Sequence, residues 1–139
     1  MVSSLGLTII PETMAVCRLP AAAPLPALPQ ESTLWAVTRT SDELSLVLPQ
    51  KDADPSWQME GGWRALKVMG GWLALKVMGP LDFSLTGILA GLSSILAEAG
   101  LSIFAISTFD TDYILVREDK LDAAVAALRG AGHAVSEGP

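Results

Sequence analysis

One cysteine, one histidine and one tyrosine occur among the 139 residues, and nine Lys plus Arg stand against fifteen Asp plus Glu. Each scarcity excludes something. A lone Cys17 cannot close an intramolecular disulfide, and no charged, apolar, small-residue leader opens the chain, so a reducing cytoplasm is the expected setting. Cys17 itself reads as a buried strand residue. His133 lies just beyond a glycine-rich helix stop and far in sequence from Cys17. With so few candidates there is neither a nucleophile-base pair nor a metal cluster, so no enzyme, metal or cofactor is expected, and His133 reads as a turn residue. Nine scattered cations and a net charge of −6 leave no basic stripe for a nucleic-acid backbone. Gly61-Gly62 and Gly70-Gly71 lack the following Lys-Ser/Thr of a phosphate loop. The longest apolar run, Leu85–Ile106, carries only Glu98 as a charge. Ser93-Ser94 and Gly100 interrupt it, no basic flank anchors it, and its period changes from helical to strand-like after Gly100. It therefore reads as two elements and not as a membrane span.

Half of the residues are hydrophobic, enough to build a core. The N-terminal half reads as short strands: Leu5–Ile10, Met14–Arg18, Thr33–Thr40 and Glu43–Leu48, punctuated by Pro11-Glu12, a proline-rich run from Pro20 to Pro29, and a hairpin turn at Ser41-Asp42. The proline run cannot sustain a regular helix and is expected to cross the surface in an extended or one-turn form. Lys51–Gly62 follows as a polar loop. Next comes a tandem repeat, Gly62–Gly70 and Gly71–Gly79, whose copies differ only where Arg64 becomes Leu73. Two arrangements fit it. Either Gly70-Gly71 turns a hairpin that sets Val68 opposite Leu73 and Leu66 opposite Leu75, or one copy is a core strand and the other an extruded duplicate. In the second case the copy leading into Pro80 is the expected core strand.

The C-terminal half has stronger periodicity. Leu85, Ile88, Leu89, Leu92, Ile95, Leu96 and Ala99 fall on one helical face, with Asp82 or Ser84 placed to cap its start and Gly100 to end it. Leu101–Thr108 and Asp112–Arg117 are β-rich runs that predict a hairpin. A second helix is predicted from Glu118-Asp119 to Arg129, with Leu121, Ala124, Val125 and Leu128 inward and its charges disposed as the helix dipole favours. Gly130 and Gly132 stop it, and His133–Ser136 adds a strand. Strand, helix, strand, strand, helix, strand is the order of a ferredoxin-like α+β module. The expected architecture is ferredoxin-like antiparallel sheet modules in tandem, with helices packed on one face. The first spans 1–61 and is strand-rich, the repeat 62–79 forms the junction, and the second spans 72–139 and shares the junction strand.

Gly79-Pro-Leu-Asp-Phe-Ser-Leu-Thr-Gly-Ile-Leu followed by Ala99-Gly-Leu-Ser-Ile-Phe-Ala-Ile-Ser-Thr-Phe-Asp-Thr-Asp-Tyr-Ile-Leu-Val resembles the ACT-type proteins related to the CASTOR arginine sensors. Ala15-Val-Cys-Arg-Leu-Pro and Val37-Thr-Arg-Thr-Ser-Asp-Glu-Leu-Ser resemble the first module of the small bacterial members, so the likeness spans nearly the whole chain. It implies that an amino acid is held where the loop before the first helix of one module meets a strand of a neighbouring module. Carried over residue by residue, it implicates Asp82, Phe83, Gly87, Ile88 and Leu89 with Thr108, Phe109 and Asp112. The chain has half the modules of the arginine sensors, which implies a homodimer. Leu85 stands where those sensors carry an acid, so arginine is not the ligand implied.

Chemistry points to the same segments. Free amides at a helix start suit a carboxylate, Gly87 permits close approach of a ligand to the backbone, and Asp110 or Asp112 can face an ammonium group. Each also has a plainer role, since aspartates in turns bond their own backbone and Asp82 suits a helix cap. Trp63, Trp72, Phe104 and Tyr113 read as core or interface residues. The function expected is a regulatory or sensor module that binds an amino acid between ACT-like modules, with no nucleic-acid or membrane partner. The alternative is a structural or dimerisation module without a metabolite.

Overall fold

The computed structural model describes residues 4–71 and 87–138. Among these, the strands are β1 (Leu5–Leu19), β2 (Ala36–Arg39), β3 (Leu44–Pro49), β4 (Gln58–Gly71), β5 (Ile103–Ser107), β6 (Asp112–Arg117) and β7 (Ala134–Glu137). The α-helices are α1 (Ile88–Glu98) and α2 (Leu121–Gly130), and short 3-10 turns occupy Gln50–Asp52 and Glu118–Lys120. The fold is α+β, with a mostly antiparallel sheet and two helices among the described residues. It divides into two compact units, 12–63 and 1–11 with 64–139, so β1 and β4 each contribute to both.

In the larger unit the helical faces expected from sequence are realised. Leu92 and Leu96 of α1 and Ala124 and Leu128 of α2 are buried with Leu5, Leu7, Ile9, Leu66, Val68, Ile114, Val116 and Val135. Those strand residues alternate along their strands, so both helices cover one face of the sheet. Each helix ends in the same way. Gly100 and Gly132 adopt φ of +76° and +97°. Gly100 N–H donates to Ala97 and Leu101 N–H to Leu96, while Gly132 N–H donates to Arg129 and His133 N–H to Leu128. This is the paired bonding of a Schellman stop, and it satisfies carbonyls the helix leaves open. The hairpin of β5 and β6 has Ile103 opposite Val116 and Ser107 opposite Asp112. The predicted second helix begins later than expected, because Glu118–Lys120 winds as a 3-10 turn before α2.

One strand pairing departs from the ferredoxin pattern. In that pattern the last strand lies beside the first strand of its own module. Here β7 pairs in parallel with β1, Gly6 opposite Ala134 through Ile9 opposite Glu137. The order continues β1-β4-β6-β5, so the chain's opening strand lies between β7 and β4. The first eleven residues, expected in the N-terminal module, thus group with the C-terminal elements. β1 is also one strand where two were expected. Pro11 lies between the residues that pair with β7 and those, Met14–Leu19, that pair with β3. Its missing N–H is tolerated between two ladders.

His133 is not the turn residue expected. It is 6% exposed, and its Nδ1 accepts a hydrogen bond from Leu5 N–H at 3.0 Å. Ser4 Oγ donates to Gly132 carbonyl at 2.7 Å beside it. An acceptor at Nδ1 requires the neutral ring, and burial pushes the imidazole pKa below its ordinary value of 6.5.

The 12–63 unit builds the strand order β2-β3-β1-β4 without an α-helix. Its hairpin turn is as expected: Thr40 N–H donates to Glu43 carbonyl, and Thr40 Oγ1 accepts from Asp42 and Glu43 N–H. Two segments without an α-helix connect its strands. The proline run makes a single turn, Ala23 N–H to Pro20 carbonyl, and Arg39 donates to the carbonyls of Ala21 and Ala23. Ala23 from this crossover, with Ala53 and Trp57 from the next, packs on the buried cluster of Ala15, Cys17, Leu19, Leu44, Leu46 and Leu48. Cys17 is buried as expected, and burial pushes its thiol pKa up.

The first copy of the repeat lies in β4, with Trp63, Ala65, Leu66 and Val68 buried. Gly70 and Gly71 continue the strand and do not turn it. The second copy, expected to be the core strand, lies outside the described residues. Arg64, the one position that distinguishes the copies, donates to Ile10 carbonyl through Nη2 at 3.1 Å and Nε at 3.4 Å.

Two outcomes follow. Replacing Arg64 with Leu removes a charged donor from a partly buried carbonyl and should cost about 1–3 kcal/mol in a urea melt. Arg64→Lys should recover part of that loss. For His133 the unfolded chain takes up a proton before the folded one does, so stability is complete above pH 6.5 and falls as the pH drops through that value toward the lower folded pKa. His133→Phe should lower stability at pH 8 and flatten the pH dependence between about 5 and 7. A parent melt independent of pH across that window would show that the ring is not held neutral.

Candidate functional site

The segments singled out from the sequence lie in the larger unit, on the start of α1 and on the loop between β5 and β6. Asp82 and Phe83 lie outside the described residues, as do the cap candidates Asp82 and Ser84. Gly87 is the residue before the first helical turn. It is exposed, has a φ of +87°, and its carbonyl accepts from Gly91 N–H at 2.7 Å. A side chain at this φ would be strained, which accounts for glycine here. No side chain caps the helix from Gly87, and the N–H groups of Ile88, Leu89 and Ala90 precede the first intrahelical acceptor. The side chains of Ile88 and Leu89 pack on the core cluster. Their contribution to a ligand would therefore come from backbone amides at a weakly positive helix end.

The loop of Thr108–Thr111 is tightly organised. Thr108 N–H donates to Thr111 carbonyl at 2.8 Å, Thr111 N–H donates to Thr108 Oγ1 at 3.1 Å, and Thr108 Oγ1 donates to Thr111 carbonyl at 3.0 Å. The Thr108 hydroxyl is thus occupied within its own loop. Thr111, which sequence reasoning passed over, sends its hydroxyl to Val68 carbonyl at 2.7 Å and ties the loop to β4. A threonine at a hairpin end is the only local signal of that bond, and its partner lies 43 residues away. Phe109 is 86% exposed at the loop's tip. Asp110 is exposed, whereas Asp112 is half-buried as the first residue of β6.

Among the described residues, α1 thus starts without a side-chain cap beside a glycine, and the hairpin carries a half-buried carboxylate and an exposed ring. Trp63 and Tyr113 are core residues as expected, and Phe104 is half-buried. Among the described residues no group of three His, Cys, Asp or Glu is placed to hold a metal ion, and no helix is long and apolar enough to cross a membrane. The apolar run from Leu85 is divided between α1 and β5.

A family model described as the ACT domain matches residues 59–130, just over half of the chain, and a second model, of an N-terminal domain, matches 12–56. No curated protein matches the chain. Among solved structures, a protein of Agobacterium tumefaciens is 30% identical over 99% of this chain and 96% of its own length, with a TM-score of 0.86. The regulatory subunit of aspartate kinase from Thermus thermophilus, in its ligand-free form, superposes with a TM-score of 0.58 at 12% identity, covering 94% of this chain and 99% of that one. Aspartate kinase of Clostridium acetobutylicum gives 0.65 at 13% identity over 94% of this chain, which spans 35% of the enzyme. At such identities the kinases show the shared fold alone. The match over β4, α1, the β5–β6 hairpin and α2, just over half of the chain, shows that the chain belongs to the ACT domain family.

Proposed function

We propose that the protein is a regulatory small-molecule-binding module whose ligand is an amino acid. The observation that carries this reading is the presence within one ACT match of a helix start at Gly87 with no side-chain cap among the described residues and of a half-buried Asp112 at the start of β6. The ligand carboxylate would bond the amides of Ile88 and Leu89, and the α-ammonium would bond Asp112, as a charge-assisted pair. Thr108 contributes by shaping the loop, since its hydroxyl already bonds Thr111. That a structure sharing this fold is a regulatory subunit of aspartate kinase accords with a regulatory role. The 12–63 unit, whose strands run β2-β3-β1-β4, is a second, helix-poor ferredoxin-like module in tandem with the ACT match. Within the ACT family the affinity is with the CASTOR-related branch, in a cytoplasmic protein. Assembly is as a homodimer, with the site completed by a neighbouring module of the second copy, and Phe109 is the side chain that such contact would cover.

The test is thermal melting of the full chain against each free amino acid. At a hundredfold excess over the dissociation constant a ligand stabilises the folded state by about 2.7 kcal/mol, a rise in Tm on the order of 10 °C. One or a few amino acids should produce this, and Asp112→Ala should abolish the response while melting near the parent in its absence. A chain that no amino acid stabilises, and whose sedimentation shows a dimer disrupted by Phe109→Ser, would be an assembly module without a metabolite.

A further inference from the structure

β4 takes up the first copy of the tandem repeat, and the second copy follows it directly in sequence with a single substitution, Leu73 for Arg64. We propose that β4 is a two-register strand. Either copy fits the same place in the sheet, and the register decides which flanking connector holds the other one.

A strand that slips by one residue turns its buried face outward, but a slip by one whole repeat returns the same residue type to nearly every position. The buried positions of the first copy are Trp63, Ala65, Leu66 and Val68, and a shift of one repeat brings Trp72, Ala74, Leu75 and Val77 to them. No core side chain changes in kind. The backbone requirements repeat as well. Gly62 has a φ of +75°, and a Cβ at Gly61 would come within 2.5 Å of Gln50 Oε1, the atom that accepts from Gly62 N–H at 2.8 Å. Both positions therefore call for glycine, and the shift supplies Gly70 and Gly71. The Thr111 hydroxyl, which bonds the Val68 carbonyl, would meet the carbonyl of Val77. Ahead of the glycines the replaced positions are permissive. Gln58 and Glu60 are exposed, and half-buried Met59, which packs on the cluster around Cys17, gives way to another apolar residue, Val68.

One contact discriminates between the registers. Arg64 donates to the Ile10 carbonyl at 3.1 Å, and Leu73 in its place has no donor to offer. The first register is favoured by that charge-assisted bond, a bias small enough to leave the second populated in roughly 0.1–10% of molecules. The connectors permit both. In the observed register 53–57 lead from the 3-10 turn at Gln50–Asp52 into β4, and 72–87 lead from β4 to α1. In the second, β4 runs from Lys67 to Gly79, ending before Pro80, which has no N–H for a ladder. The connectors then become 53–66 and 80–87. The shorter of these still exceeds the roughly two to six residues common between strand and helix, and loop-closure cost changes only slowly with length. Anything that favours one connector length over the other draws the strand into the matching register.

The experiment places an aspartate in each copy and follows urea melts of the full chain by circular dichroism. No ligand is added, so the outcome is separate from that of the amino-acid reading. Leu66 is fully buried, and an unpaired carboxylate there is incompatible with the first register. Leu66→Asp should nevertheless fold, because Leu75 takes the position in the second register. Leu75→Asp should fold in the first. The double variant Leu66→Asp/Leu75→Asp, which leaves no intact copy, should not fold. The populations are read from Leu73→Arg, in which the copies are identical and the Ile10 carbonyl has a donor in either register. β4 must leave both β1 and β6 to change register, so exchange is slow. The Gln50 side-chain amide, which lies against Gly61 and Gly62, should then give two NMR signals whose intensities lie within about tenfold of one another, against one dominant signal in the parent. Failure of either single variant to fold, a folded double variant, or a single Gln50 signal in Leu73→Arg would each overturn the proposal.

Discussion

The parallel pairing of β1 with β7 is the contact on which the larger unit depends. Leu5, Leu7 and Ile9 enter the same cluster as Leu92, Leu96, Ala124 and Leu128, so residues from the start of the chain complete the core beneath both helices. Burying three large aliphatic side chains contributes on the order of 6 kcal/mol, comparable with the whole stability of a small domain. The bond from Leu5 N–H to His133 Nδ1 secures the same junction from the polar side, and it does so at the residue that closes the Schellman stop of α2. Helix end, strand start and opening strand therefore form one cooperative corner. The ACT match, which ends at residue 130, includes neither of the paired strands.

This arrangement constrains β4. With β1 on one side and β6 on the other, β4 is a central strand of the sheet, and a central strand tolerates little ambiguity of register. The duplicated segment would seem to offer two equivalent candidates for the position. Arg64 distinguishes them, because the carbonyl of Ile10 needs a donor there and the other copy carries Leu73. Thr111 bonds the carbonyl of Val68, a backbone acceptor that either copy would offer, so it ties the loop to β4 without choosing between them. One side-chain bond to a backbone acceptor thus marks which copy fits, where apolar pattern alone could not.

Much of the C-terminal half was legible because its signals are local. Helical spacing located Leu92, Leu96, Ala124 and Leu128, and glycine's tolerance of positive φ located the stops at Gly100 and Gly132. The hairpins at Ser41-Asp42 and between β5 and β6 were equally local. What escaped notice is long-range. Leu5 and His133 are 128 residues apart, so no window of sequence shows that the histidine is an acceptor or that the opening strand lies between β7 and β4. Pro11 was read as a strand break for the same reason, since whether a missing N–H matters depends on which neighbour lies alongside. Of the candidate site, Gly87 precedes the first turn of α1 and Asp112 opens β6. The side chains of Ile88 and Leu89 belong to the core, and the Thr108 hydroxyl is turned inward on its loop.

The two units differ in how their strands are covered. In the larger unit α1 and α2 bury Leu92, Leu96, Ala124 and Leu128 against one face of the sheet. In the 12–63 unit that task falls to Ala23, Ala53 and Trp57, which lie outside any α-helix and pack on Ala15, Cys17, Leu19, Leu44, Leu46 and Leu48. A segment without helical bonding must satisfy its backbone groups otherwise. Arg39 accordingly donates to the carbonyls of Ala21 and Ala23, and Asp54 Oδ1 accepts from Ser56 N–H, so side chains do for the irregular segments what the i to i−4 ladder does for α1 and α2.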